Sequence, residues 1–169
     1  RIYFVTTRNQ FCYCTFSEKS VILMIKIAKR GSHMQNITLN NGVEIPILGF
    51  GVYQIAPKDT KSAVLNAIKA GYRHFDTAQA YANEKEVGEA IRESGIDRKE
   101  FFITSKVWLS NYGYDKAYAS VFESLDRMEL DYLDLMLLHQ PFGDYYGAYR
   151  VPCFGTTLQR RKTSSDWCV

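Results

Sequence analysis

The feature that most constrains this chain is a change of period, repeated along residues 48 to 138. Short apolar runs of strand length alternate with longer stretches whose apolar residues return every three or four positions. "LGFGVYQ" reads as a buried strand, and "DTKSAVLNAIKAGY" as a helix opened by Asp59, carrying Ala63, Leu65, Ala67 and Ile68, and stopped by Gly71. The order then recurs. "YRHFDTA" is a strand, "NEKEVGEAIRESG" a helix ended by Gly95, "FFITSKVW" a strand, and "YDKAYASVFESLDRMEL" a helix with Ala117, Val121, Leu125 and Met128 on one face. "DYLDLMLLHQP" supplies a fourth strand. Strands that alternate with helices form parallel βαβ units, in a doubly wound sheet or a β/α barrel. No G-x-G-x-x-G follows the first strand, which weakens a dinucleotide-fold reading. Ahead of these units, "ITLNNGVEIPIL" places Asn41-Gly42 between two strand-like runs and predicts a hairpin on a two-residue turn.

Charge and cysteine divide the 169 residues into three. Residues 1–33 carry six basic and one acidic residue (+5), residues 34–150 carry 12 and 16 (−4), and residues 151–169 carry three and one (+2). Cys12, Cys14, Cys153 and Cys168 all lie outside the middle segment, and an acidic, cysteine-free middle reads as cytoplasmic. Gly31 to Met34 spell "GSHM", the remnant that expression vectors leave before a start codon. Residues 1–33 are therefore expected to be a vector-derived or upstream leader, unstructured or sticky, with Met34 as the native start. "SVILMIKIA" is too short to span a bilayer, and Cys12-x-Cys14 lacks the spacing of a metal site. The basic residues sit in the tails, so neither a nucleic-acid nor a membrane partner is expected.

In β/α barrels the reactive groups project from the C-terminal ends of the strands. Here the second strand ends in Asp76, with Tyr81 in the following loop; the third ends near Lys106; the fourth delivers His139. Each has an ordinary explanation alone: a turn cap, a packing tyrosine, a surface lysine, a core histidine. Together at successive strand ends they form a set with a use. A tyrosine is a weak acid, with a reference pKa of about 10. A nearby ammonium stabilises its phenolate, and a carboxylate holds the ammonium in place. Tyr81 could then protonate a carbonyl oxygen while hydride arrives at carbon, with His139 orienting that oxygen.

On these residues the chain resembles the aldo-keto reductase family. "GYRHFDTAQAYANEKEVGEAI" is similar to the family's aspartate–tyrosine signature, "FFITSKVW" to its lysine strand and "YLDLMLLHQP" to its histidine strand. The resemblance implies a TIM (β/α)8 barrel of which residues 34–150 form the N-terminal half, a hairpin plus about the first four strands. It also implies a catalytic set of Asp76, Tyr81, Lys106 and His139. Gly51, Val52 and Tyr53 match the first-strand loop beside cofactor and substrate, with Asp76 also near the cofactor. Tyr53, Trp108 and His139 border the substrate. Histidine rather than glutamate at 139 favours carbonyl reduction over the steroid double-bond reduction found elsewhere in the family.

The implied cofactor is NADPH or NADH, with no metal, and the implied substrate a small aldehyde or ketone. Some family members instead serve as binding or regulatory proteins. The parent protein is expected to be a monomer or weak dimer. Residues 151–169 lack helical periodicity, and codons compatible with Arg160 to Val169, read one base later, give EGKLRAIGV, which resembles what the family carries after its fourth strand. These residues are therefore expected to be a frameshifted tail. A chain holding only half a barrel, with open sheet edges and an uncovered interior, is expected to self-associate or to be inactive.

Overall fold

The computed structural model describes residues 2–5, 11–14, 35–39, 42–140 and 158–159. The GSHM tetrapeptide, Asn41, Pro141 and the tail on either side of Leu158–Gln159 lie outside these residues. Among them the strands are β1 (Ile2–Val5), β2 (Phe11–Cys14), β3 (Asn36–Thr38), β4 (Glu44–Pro46), β5 (Leu48–Gly51), β6 (His74–Asp76), β7 (Phe102–Val107), β8 (Tyr132–Leu133), β9 (Leu135–Leu138) and β10 (Leu158–Gln159). The helices are α1 (Pro57–Lys69), α2 (Glu84–Glu93) and α3 (Tyr114–Met128).

The predicted alternation is present. β5, β6, β7 and β9 pair in parallel, in that order, and each is linked to the next through one helix. Phe75, Ile103, Val107 and Met136 pack against the helices with Val64, Val87, Val121 and Leu125. Because successive strand residues face opposite ways, His74, Asp76, Thr104 and Lys106 share the other face of the sheet. On β9 the same alternation sends Leu135 and Leu137 to that face, and His139 follows them in phase.

Helix ends follow local chemistry. At the end of α1 the Gly71 N–H donates to Ile68 O (2.9 Å) and Tyr72 N–H to Ala67 O (3.0 Å). This pair of bonds needs a left-handed residue, which Gly71 supplies at φ 102°. The start of α1 departs from the expected Asp59: the helix begins at Pro57, whose ring is preset for a first helical position. Its inner stripe is Thr60, Val64, Ala67 and Ile68, with Ala63 and Leu65 only half-buried.

Three further readings are corrected. The β3–β4 hairpin forms, with Ile37 opposite Ile45, but its loop has three residues rather than two. The Leu39 N–H donates to Val43 O (2.8 Å) and the Gly42 N–H to Leu39 O (2.9 Å), and Gly42 takes the position that such loops give to left-handed glycine, at φ 84°. The fourth strand is broken at Asp134, whose carboxylate accepts from the Ile103 N–H (2.8 Å) and from Arg98 (2.7 Å). Where they are described, residues 1–33 are not unstructured, since β1 pairs antiparallel with both β2 and β5.

The inner face is also less open than half a barrel would imply. Ile45 of the hairpin packs on Phe102 and Leu135, with Ile37, Leu39, Val43 and Leu137 around them, and closes the N-terminal end of the inner face. β10 pairs with β8. Among the described residues no helix is long and apolar enough to cross a membrane.

Candidate active site

Asp76 is the last residue of β6 and Lys106 the fifth of β7, both facing inward and both more than nine-tenths buried. They form a direct ion pair, and the ammonium also donates to Thr77 O at 2.9 Å. Above the pair lies the ring of Tyr81, from the short 3₁₀ turn Gln79–Tyr81; its centroid is 5.1 Å from Lys106 Nζ. The His139 ring meets Tyr81 edge-on at 5.4 Å and the Trp108 indole at 5.0 Å. The Tyr53 ring, 45% exposed, leans on Tyr81 from the other side at 4.9 Å. An ammonium, a phenol and an imidazole thus meet at the carboxyl ends of the strands, walled by two further aromatic rings.

His139 has its backbone N–H on Val107 O (3.1 Å), which extends the β7–β9 ladder by one step. Its Nδ1 is buried without a hydrogen-bond partner among the described residues. Desolvation, and after it the Lys106 charge, hold its pKa below the usual imidazole value, while Asp76 opposes them. The ring is therefore neutral near pH 7, and in the neutral form one nitrogen can donate to an oxygen.

Of the loop after β5, Gly51 is buried beside Asp76 in the parallel register and Tyr53 reaches the aromatic wall. Val52 does neither. Its side chain is fully buried in the helix-side core, its N–H is held by Asp76 O (3.1 Å), and its carbonyl accepts from Asn83 (3.0 Å). What Val52 contributes is the path of the loop between its two neighbours.

The domain between residues 47 and 159 matches the family model described as the aldo/keto reductase family. The chain belongs to the aldo/keto reductase family. Morphine 6-dehydrogenase of Pseudomonas putida is 51% identical over 109 residues, covering 64% of this chain and 37% of that enzyme. Glyoxal reductase of Bacillus subtilis is 49% identical over 111 residues, covering 65% and 40%. Among solved structures, an aldo/keto reductase from Brucella melitensis superposes with a TM-score of 0.68 at 43% identity, covering 70% of this chain and 47% of that one. The Bombyx mori aldo-keto reductase in complex with NADP gives 0.67 at 34%, covering 71% and 46%. The chain thus spans about two fifths of the curated relatives' length. The family's barrel is (β/α)8, and its general chemistry is NAD(P)H-dependent carbonyl reduction.

Several residues that shape this aldo/keto reductase site carry no sequence signal of their own. Asn83 stands at the start of α2 without capping it. Its amide donates instead to Val52 O and Ile55 O (3.1 Å), and its oxygen accepts from Thr77 Oγ1 (3.0 Å), tying together the loops after β5 and β6. Gln79 Oε1 accepts from the Trp108 N–H and from Asn111 Nδ2, both at 2.9 Å. Apart from Thr77, six residues from Asn83, the partners just named lie about 30 residues away in the chain, beyond the reach of local pattern.

Proposed function

We propose that the site reduces aldehydes and ketones to alcohols, with Tyr81 as the general acid. The observation that carries this reading is the buried Asp76–Lys106 pair directly beneath the Tyr81 ring. Burying two charges costs several kcal/mol that their attraction alone rarely returns, so a pair held there for chemistry is the more economical account. When bound, a nicotinamide cofactor, NADPH or NADH, supplies hydride to the carbonyl carbon. Tyr53, 45% exposed beside Tyr81, with Gly51 and Asp76 at the neighbouring strand ends, would hold its nicotinamide end.

As negative charge develops on the carbonyl oxygen, Tyr81 gives it the phenolic proton. Lys106 stabilises the phenolate left behind, and Asp76 keeps the ammonium oriented toward the ring. Neutral His139 donates a hydrogen bond to the same oxygen, fixing the carbonyl against Tyr81 without competing as a proton source. Trp108 and Tyr53 exclude water from one side each. In this reading the partner is a small carbonyl compound, the compartment is cytoplasmic, and no nucleic acid or membrane takes part.

The test is NADPH consumption with 4-nitrobenzaldehyde by the chain and by Tyr81→Phe. Turnover that disappears in Tyr81→Phe is the expected result, and turnover that survives it removes Tyr81 as the acid. A second reading, favoured by the share of each relative that the chain spans, is that these residues hold the tetrad without turning over alone. No turnover in either protein supports it.

A further inference from the structure

The indole of Trp108 has a neighbour on the catalytic side, His139, and also borders a cavity of about 450 Å³ shared with Gln79, Lys85, Ser110, Asn111 and Arg127. A wall between two spaces needs something to hold it. The 3₁₀ turn Leu109–Asn111 that follows Trp108 is short, and Trp108 lies one residue past the end of β7, beyond the sheet's own ladder.

The hydrogen bonds converge on one side chain. Gln79 Oε1 takes the Trp108 backbone N–H and Asn111 Nδ2, both at 2.9 Å. Gln79 Nε2 donates to Ser120 O (3.0 Å) and Ser124 Oγ (3.1 Å) on α3. All four hydrogen-bonding positions of one amide are thus filled. Two fix the amide to a helix, and two pass that fixity to the turn that carries the indole. Gln79 also sits in the same 3₁₀ turn as Tyr81, so the acid and the wall share one anchor.

We propose that Gln79 is the positioning residue of this site: through its side-chain oxygen it fixes the main chain at Trp108 and so holds the indole against His139 rather than in the neighbouring cavity. In the reductase reading, on which only this consequence rests, the width left for the carbonyl substrate is then set by Gln79.

The test needs no turnover. In a Trp167→Phe chain Trp108 is the sole tryptophan. Gln79→Met keeps the side chain's length but removes the oxygen that accepts from the Trp108 N–H together with the amide donors that anchor it to α3. Expected are a red-shifted Trp108 emission, easier quenching by acrylamide and loss of amide protection at Trp108 in Gln79→Met. Emission and amide protection that are unchanged in Gln79→Met overturn the proposal. Should Gln79→Met fail to fold, amide exchange in the unsubstituted chain decides. A protected Trp108 N–H supports the assignment, and exchange at the open-chain rate overturns it. Absent NADPH turnover bears on the reductase reading and not on this one.

Discussion

At the level of single residues, His74 carries the clearest consequence for stability. It is 2% exposed, with Nδ1 on Pro46 O (3.3 Å) and Nε2 on Thr104 Oγ1 (3.1 Å), so it joins the β3–β4 hairpin to the sheet. Burial, with the Lys106 charge adding to it and Asp76 and Pro46 opposing, pushes its pKa down to about 4. An unfolded histidine titrates near about 6.5. Between these values the unfolded chain binds the proton and the folded chain does not, so stability falls as pH drops from the higher value toward the lower. The loss from His74 reaches about 2 kcal/mol by about pH 5. Urea midpoints near neutral pH and in mild acid are expected to differ by less in His74→Gln than in the parent chain; an equal difference would assign the acid sensitivity elsewhere. Sequence reasoning saw His74 only as part of a strand. It placed Asp76, Lys106 and His139 at strand ends because strand ends and a period of two are local, and it did not reach the hydrogen bonds of Val52, Gln79 and Asn83 because most of their partners are brought in by folding from far along the chain.

Among the elements, α2 and α3 approach each other closely at Gly88. A Cβ built at Gly88 would overlap Met128 O and lie 2.6 Å from its Cα, backbone atoms that cannot swing aside. Arg92 of α2 reinforces the contact by donating to Met128 O and pairing with Glu129 at 3.1 Å. Gly88→Ala gains about 1 kcal/mol of intrinsic helix preference, but the overlap forces the helices apart. A net loss of about 1–3 kcal/mol is expected, as for overpacked cores. Chemical denaturation measures it, and a variant as stable as the parent would mean that α2 and α3 can separate freely. The helices themselves were legible because a three-to-four residue spacing and a terminal Gly71 or Gly95 are written in the sequence. Less so were their starts and the strand breaks: Pro57 opens α1 through a preference weaker than the pattern around Asp59, and Asp134 interrupts the fourth predicted strand, where Arg98, 36 residues earlier, takes its carboxylate.

For the whole molecule the decisive geometry is which strand edges are taken. A closed barrel requires its first strand to pair with its second on one side and with its last on the other. β5 has β6 on one side, and on the other, along Leu48 to Phe50, it has β1, antiparallel. An edge accepts one partner at a time, so β1 and a closing strand compete. Consider the chain mixed with a separately made polypeptide carrying the part of the Pseudomonas putida relative that follows its matched segment. The apparent affinity between the two is the intrinsic affinity reduced by the fraction of chains whose β5 edge is free. Removing residues 1–33 raises that fraction toward one. The shortened chain is therefore expected to reach half-maximal NADPH turnover with 4-nitrobenzaldehyde at a lower concentration of the added half than the full chain does, while turnover at saturation is the same for both. Equal half-maximal concentrations would mean that β1 leaves β5 at no cost, and a higher value for the shortened chain would mean that residues 1–33 support the sheet rather than occupy its closing edge.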